Sequence, residues 1–102
     1  MNHDTATWTN AKLAKAIDAN QERVNKAARL VLSHASFDER FNDVMNRLGK
    51  NHIDVQSYLA ILAKQNDLEC EAYMRVGRPP FATMYPTWLN GSPRHKRNRA
   101  TA

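Results

Sequence analysis

The chain has 102 residues, 42% hydrophobic and 25% charged, with a formal net charge of +5, a composition that fits one small folded domain and excludes both a second core and intrinsic disorder of the whole chain. All of that net charge lies at one end: residues 1–76 hold ten Lys/Arg and all ten Asp/Glu, whereas residues 77–102 hold Arg78, Arg94, Lys96, Arg97 and Arg99 and no acid. No apolar run approaches the roughly 20 residues that cross a bilayer, the start lacks the charged and apolar regions of a signal peptide, and a single cysteine, Cys70, forms no internal disulfide, so the expectation is a cytoplasmic protein with no membrane contact.

Residues 1–8 read as a flexible lead-in. Thr9 is placed as an N-cap, and from there Leu13, Ile17, Asn20, Val24, Ala27, Val31 and His34 follow a 4-3-4-3-4-3 spacing that lines one stripe of a helix. Lys12, Lys15, Arg23, Lys26 and Arg29 lie opposite, with Glu22 among them and Asp18 near their edge, giving a net-basic outer face. Asn20 is the one polar residue in the middle of the stripe. Such an Asn either bonds its counterpart across a symmetric homodimer and fixes register, or sits at the edge of the core and reaches water.

Ser36, Phe37, Asp38 and Glu39 fit a capping box, in which Ser36 accepts from the Glu39 amide and the Glu39 side chain reaches back to the Ser36 amide. The helix predicted from it carries Phe37, Phe41, Val44, Met45 and Leu48 on its stripe and ends at Gly49. Asp54 is placed to cap a third helix with the stripe Val55, Leu59, Leu62. Beyond Asn66 and Asp67 the stripe shifts to Leu68, Ala72 and Val76, which leaves open one twisted helix or a separate fourth helix capped by Asp67. Gly77, Arg78, Pro79 and Pro80 stop it. No strand pattern and no internal repeat occurs. The expected fold is all-α: a small bundle of three or four helices over residues 9–76, a proline/aromatic extension over 77–91 and a disordered basic tail over 92–102.

Residues 41–62 can be laid on a helix-turn-helix, with Gly49 as the turn glycine and Val44, Leu48, Val55 and Tyr58 at buried positions. Met45 stands where a small residue is usual and Lys50 where an apolar one is. A plain helical hairpin is therefore the preferred reading, although Gln56, Ser57 and Lys64 on the second helix are compatible with base contacts.

Phe81, Tyr85 and Trp88 are interleaved with prolines. The preferred outcome for such aromatics is to fold back on the helical core, since water disfavours them; the other is to dock on a partner or stack on bases. Past the turn signal Asn90-Gly91, the segment from Ser92 to Arg99 sets four cations within six residues and nothing to bury. Ser92-Pro93-Arg94 is similar to Ser-Pro-basic-basic arms that lie in DNA minor grooves, with His95 in place of the second fixed cation.

The expected partner is nucleic acid, DNA ahead of RNA. Arg78, Arg94, Lys96, Arg97 and Arg99 would meet it, with Lys12, Lys15, Lys26 and Arg29 extending the surface. The alternative is a helical adaptor or inhibitor, of the size and build of small phage- or plasmid-borne inhibitors, that binds a protein partner through Phe81, Tyr85 and Trp88 and an exposed helix face. A third reading is a structural oligomer assembled through the first helix's stripe.

Catalysis finds little support. His3, His34, His52 and His95 show no zinc-ligand spacing with one another or with Cys70. A Cys70/His52 nucleophile pair lacks a third orienting group, and the scattered glycines cradle no phosphate. The expectation is no enzyme, no cofactor and no metal.

Overall fold

A computed structural model describes residues 3–91, with side chains from residue 5 onward, and over that span the protein is all-α. Among the described residues there are four α-helices and no strand: α1 (Asn10–Leu32), α2 (Phe41–Leu48), α3 (Ile53–Val76) and α4 (Tyr85–Leu89), with short 3-10 turns at His3–Thr7 and Ala82–Met84. The chain divides into two compact units, one made from its two ends and the other from Asn20–Gln65. The basic tail expected over residues 92–102 lies outside the described residues.

The first unit starts from a side-chain cap. Thr9 Oγ1 accepts from the Lys12 amide at 3.1 Å, satisfying one of the orphan donors at the start of α1. Leu13, Ala14 and Ile17 then face inward and form one buried cluster with Leu68 and Ala72 of α3 and Tyr85 and Leu89 of α4, against which Trp8, Ala16 and Val76 pack. Each large apolar side chain so buried contributes about 1.5–3 kcal/mol. Within residues 1–8, expected to be a flexible lead-in, Thr5 is buried, and its carbonyl accepts from Arg75 Nη2 at 2.8 Å. Arg75 also donates to Asn10 Oδ1 at 2.9 Å and to Glu71 at 2.8 Å.

α3 ends where Gly77, at φ +82°, donates its amide to the Tyr73 carbonyl at 2.8 Å. A Cβ at this position would meet nothing within 4 Å, so the backbone conformation alone selects glycine. The proline/aromatic segment then folds back. Pro86 sits in the first turn of α4, where its missing N–H costs nothing, and Tyr85, Pro86, Trp88 and Leu89 are all buried. Tyr85 and Trp88, expected on a partner surface, are thus largely covered by the unit itself, at 7% and 5% exposure. Phe81 alone of the three aromatics is exposed, at 69%.

The second unit buries Val24, Ala27 and Val31 of α1, Val44 of α2 and Val55 of α3. Its buried polar pair is Asn20 and Gln65, with Asn20 Nδ2 donating to Gln65 Oε1 at 2.9 Å and to the Ile61 carbonyl at 3.2 Å. Asn20 therefore makes both of its donor bonds within the chain. Gln65 also explains the apparent break in α3. The stripe runs through Val55, Tyr58, Ile61/Leu62, Gln65, Leu68 and Ala72 without interruption, and a glutamine stands where an apolar residue would have made it visible. Leu59, expected on that stripe, is 40% exposed.

The helix expected to begin at Ser36 begins at Phe41, with Arg40 in the N-cap position and no side-chain cap. Half of the capping box is present, since Glu39 Oε1 accepts from the Ser36 amide at 3.0 Å. The backbone closes a single turn, Glu39 N–H to Ser36 carbonyl at 3.2 Å, and goes no further. Phe37 is fully exposed and belongs to no stripe. His34, expected at the end of the α1 stripe, lies in the turn beyond Leu32. α2 ends at Gly49, φ +88°, whose amide reaches the Met45 carbonyl at 3.0 Å.

Candidate nucleic-acid interface

The cations assigned to a nucleic-acid surface divide between the two units. In the first, Lys12 Nζ stands 4.6 Å from the centre of the Trp8 ring and the Arg78 guanidinium 5.8 Å from the centre of the Tyr73 ring, both within the range of cation–π attraction. Lys15 is exposed. Arg78 and Tyr73 line an open cleft of about 250 Å³ together with Asn66, Glu69, Cys70 and Tyr85. Burial raises the Tyr85 phenol above its ordinary 10.0, with the neighbouring Glu69 charge adding to the shift. In the second unit Lys26 and Arg29 line a shallow groove with Glu22 and Asn25. Lys15, Lys26 and Arg29 form no salt bridge among the described residues. Arg94, Lys96, Arg97 and Arg99 lie outside the described residues.

The α2–α3 hairpin keeps part of the helix-turn-helix pattern. Val44 and Val55 are buried, Tyr58 is half-buried and meets Phe41 edge-on at 5.1 Å, and Gln56, Ser57 and Lys64 are exposed. α3 is 24 residues long, however, and its first turn carries Asp54, a carboxylate where a phosphate-facing helix end would be expected to lack one.

The second unit also holds a polar cluster that sequence spacing did not reveal. Arg47 donates to both Glu39 oxygens at 2.8 Å, and its Nη2 also donates to the His34 carbonyl at 2.7 Å. The guanidinium bond, with help from the Ser36 amide, holds the Glu39 carboxyl at about 2 against an ordinary 4.5, and the same bond raises Arg47. The turn after α1 is thereby braced, with His34 at its apex.

His34 Nε2 lies 2.7 Å from Asp54 Oδ2, and the His34 and His52 rings meet edge-on with centres 4.8 Å apart. His52, not Asp54, occupies the N-cap of α3: its Nδ1 accepts from the Asp54 amide at 3.2 Å, and its carbonyl takes the first helical bond, from Gln56 at 2.9 Å. Donor atoms of His34, His52 and Asp54 all lie within 4.8 Å of one another. This grouping is not visible as a ligand spacing in the sequence because His34 and Asp54 are 20 positions apart and meet only across the α1–α2 turn. The available signal was His52-x-Asp54 at a helix start. Cys70 and His52 belong to different units, and His52 is engaged with Asp54.

Large apolar side chains are exposed in the second unit at Leu30 (54%), Phe37 and Ile53 (67%). No helix among the described residues is long and apolar enough to cross a membrane. Comparison of the chain with family models, with curated proteins and with solved structures finds no match.

Proposed function

We propose that this protein is a small non-enzymatic nucleic-acid-binding protein, a regulator or an accessory subunit of a nucleoprotein complex, that engages DNA in preference to RNA through its basic end. The observation that carries the reading is charge segregation: ten cations balance ten acids over residues 1–76, and five unopposed cations follow. A polyanion gains most from such an end, because each phosphate neutralised releases condensed counterions. The anchored α4 supports the same reading. Buried Tyr85, Trp88 and Leu89 fix the chain immediately before the arm starts, so the arm's cations are delivered from a held base. Arg78 over the half-exposed Tyr73 ring adds a cation and a stacking surface of the kind nucleic-acid sites combine.

A second reading, a protein-binding adaptor, draws on Phe37, Ile53 and Leu30, whose exposure is of the kind that marks protein contact when such side chains are contiguous. Of Phe81, Tyr85 and Trp88, only Phe81 is exposed.

The two readings separate in one titration. Duplex DNA, single-stranded DNA and RNA are each added at two salt concentrations. The nucleic-acid reading expects binding at low salt that weakens steeply as salt rises, strongest for duplex DNA. Absence of binding to all three at low salt favours the adaptor.

A further inference from the structure

We propose that His34, His52 and Asp54 form a binding site for a first-row transition dication, Zn²⁺ foremost. Three separate features converge on it. The ligand types suit the ion, since two neutral imidazoles with one carboxylate form a donor set that zinc accepts, whereas magnesium and calcium prefer all-oxygen ligands. The donors already converge: one atom from each residue lies within 4.8 Å of the others, and His34 Nε2 and Asp54 Oδ2 are 2.7 Å apart. In tetrahedral zinc with bonds of about 2.0–2.1 Å, neighbouring ligand atoms are about 3.3 Å apart, so rotation of partly exposed side chains completes the geometry. Finally, the backbone is held on both sides. Arg47 grips the His34 carbonyl and is itself held by Glu39, while His52 caps α3 and Asp54 lies in its first turn.

The exchange on binding is balanced. The ion replaces the His34–Asp54 hydrogen bond, its bond to each imidazole uses a ring-nitrogen lone pair, and the proton on a ligating nitrogen moves to the other ring nitrogen or to water. If His52 ligates, the Asp54 amide loses its bond to Nδ1, so the metal takes over from the cap in fixing the start of α3. Three protein donors leave the fourth position to water. The half-open setting, with His34 and Asp54 side chains 36% and 24% exposed, gives the ion a path in. Arg47 does not oppose it strongly, because Glu39 already neutralises that charge. The site ties the turn after α1 to the start of α3, so occupancy is expected to stabilise the second unit by mass action.

The test uses the untagged full chain, stripped with a chelator and then freed of it. Zn²⁺ is titrated calorimetrically, Co²⁺ by visible absorption, and Mg²⁺ serves as comparator. The site expects one Zn²⁺ per chain, a higher Tm on loading, Co²⁺ ligand-field bands, and no response to Mg²⁺. In the unmodified protein the imidazole nitrogen resonances of His34 and His52 should move while those of His3 and His95 stay. His52→Asn, which keeps a capping side chain, and Asp54→Asn should each weaken Zn²⁺ by about tenfold or more, and His3→Gln and His95→Gln should not. No saturable binding, or resonance changes confined to His3 or His95, would overturn the proposal. So would affinity unchanged in both ligand variants. Because the resonance measurement needs no substitution, a variant that fails to fold does not remove the test.

Discussion

Asn20 and Gln65 show how one polar pair disguises two features of a sequence. Buried within hydrogen-bond reach of each other, they occupy stripe positions that apolar residues normally fill. From sequence, Asn20 raises the question of a dimer and Gln65 hides the continuity of α3. Asn20→Ala removes the donor to Gln65 Oε1 and to the Ile61 carbonyl from a buried site, so it should cost about 1–3 kcal/mol in denaturant unfolding. Replacing both by Leu exchanges the buried polar pair for apolar side chains and should recover much of that loss. A double variant less stable than the single one would contradict this pairing. Glu39 offers a second residue-level test. Its folded value of about 2, against 4.5 ordinarily, means that folding favours the carboxylate. Its contribution is therefore complete above about pH 4.5 and is lost as the pH falls towards 2. Glu39→Gln should flatten the fall of Tm across that window, and parallel curves for the two proteins would show that the Arg47 contact does not hold the turn.

Among elements, the legible ones were those with both a cap and a stripe of apolar residues. α1 has Thr9 and an inward run from Leu13 to Val31, and both are as the spacing predicts. α2 was misplaced at its start because Ser36 and Glu39 satisfy the local pattern of a capping box while the chain closes only one turn there. Local hydrogen bonding is indifferent to whether a helix follows. The helix is set by where apolar side chains find a core: Val44 does and Phe37 does not. α4 could not be read as a helix at all, since five residues with an early proline carry no period. Its place depends on burial of Tyr85, Trp88 and Leu89, which only tertiary packing supplies. Trp88→Ala should accordingly cost about 3–5 kcal/mol, read from the unfolding midpoint, whereas Phe81→Ala, at an exposed position, should change stability little. Equal effects from the two would contradict the burial of α4. The His34–His52–Asp54 cluster escaped sequence reading for the same reason, because its members meet only through a turn whose course the local pattern misreads.

At the scale of the whole chain, what was legible was charge. Segregation of five unopposed cations into residues 77–102 is a property of the sequence that no packing can undo, and it carries the functional reading. The helical body contributes Lys12, Lys15, Lys26 and Arg29 on exposed positions, but solvated charges opposite an apolar stripe are common on helices, so the arm must carry the larger share of any salt dependence. The most direct test is to delete residues 92–102 and measure duplex-DNA affinity against salt for both proteins. The deletion removes four cations, Arg94, Lys96, Arg97 and Arg99, and leaves α4 in place. The slope of log K against log salt should shrink by roughly 3 to 4, binding should weaken about equally on unrelated DNA sequences, and the melting temperature should hold. Unchanged affinity and slope in the shortened protein would contradict the account.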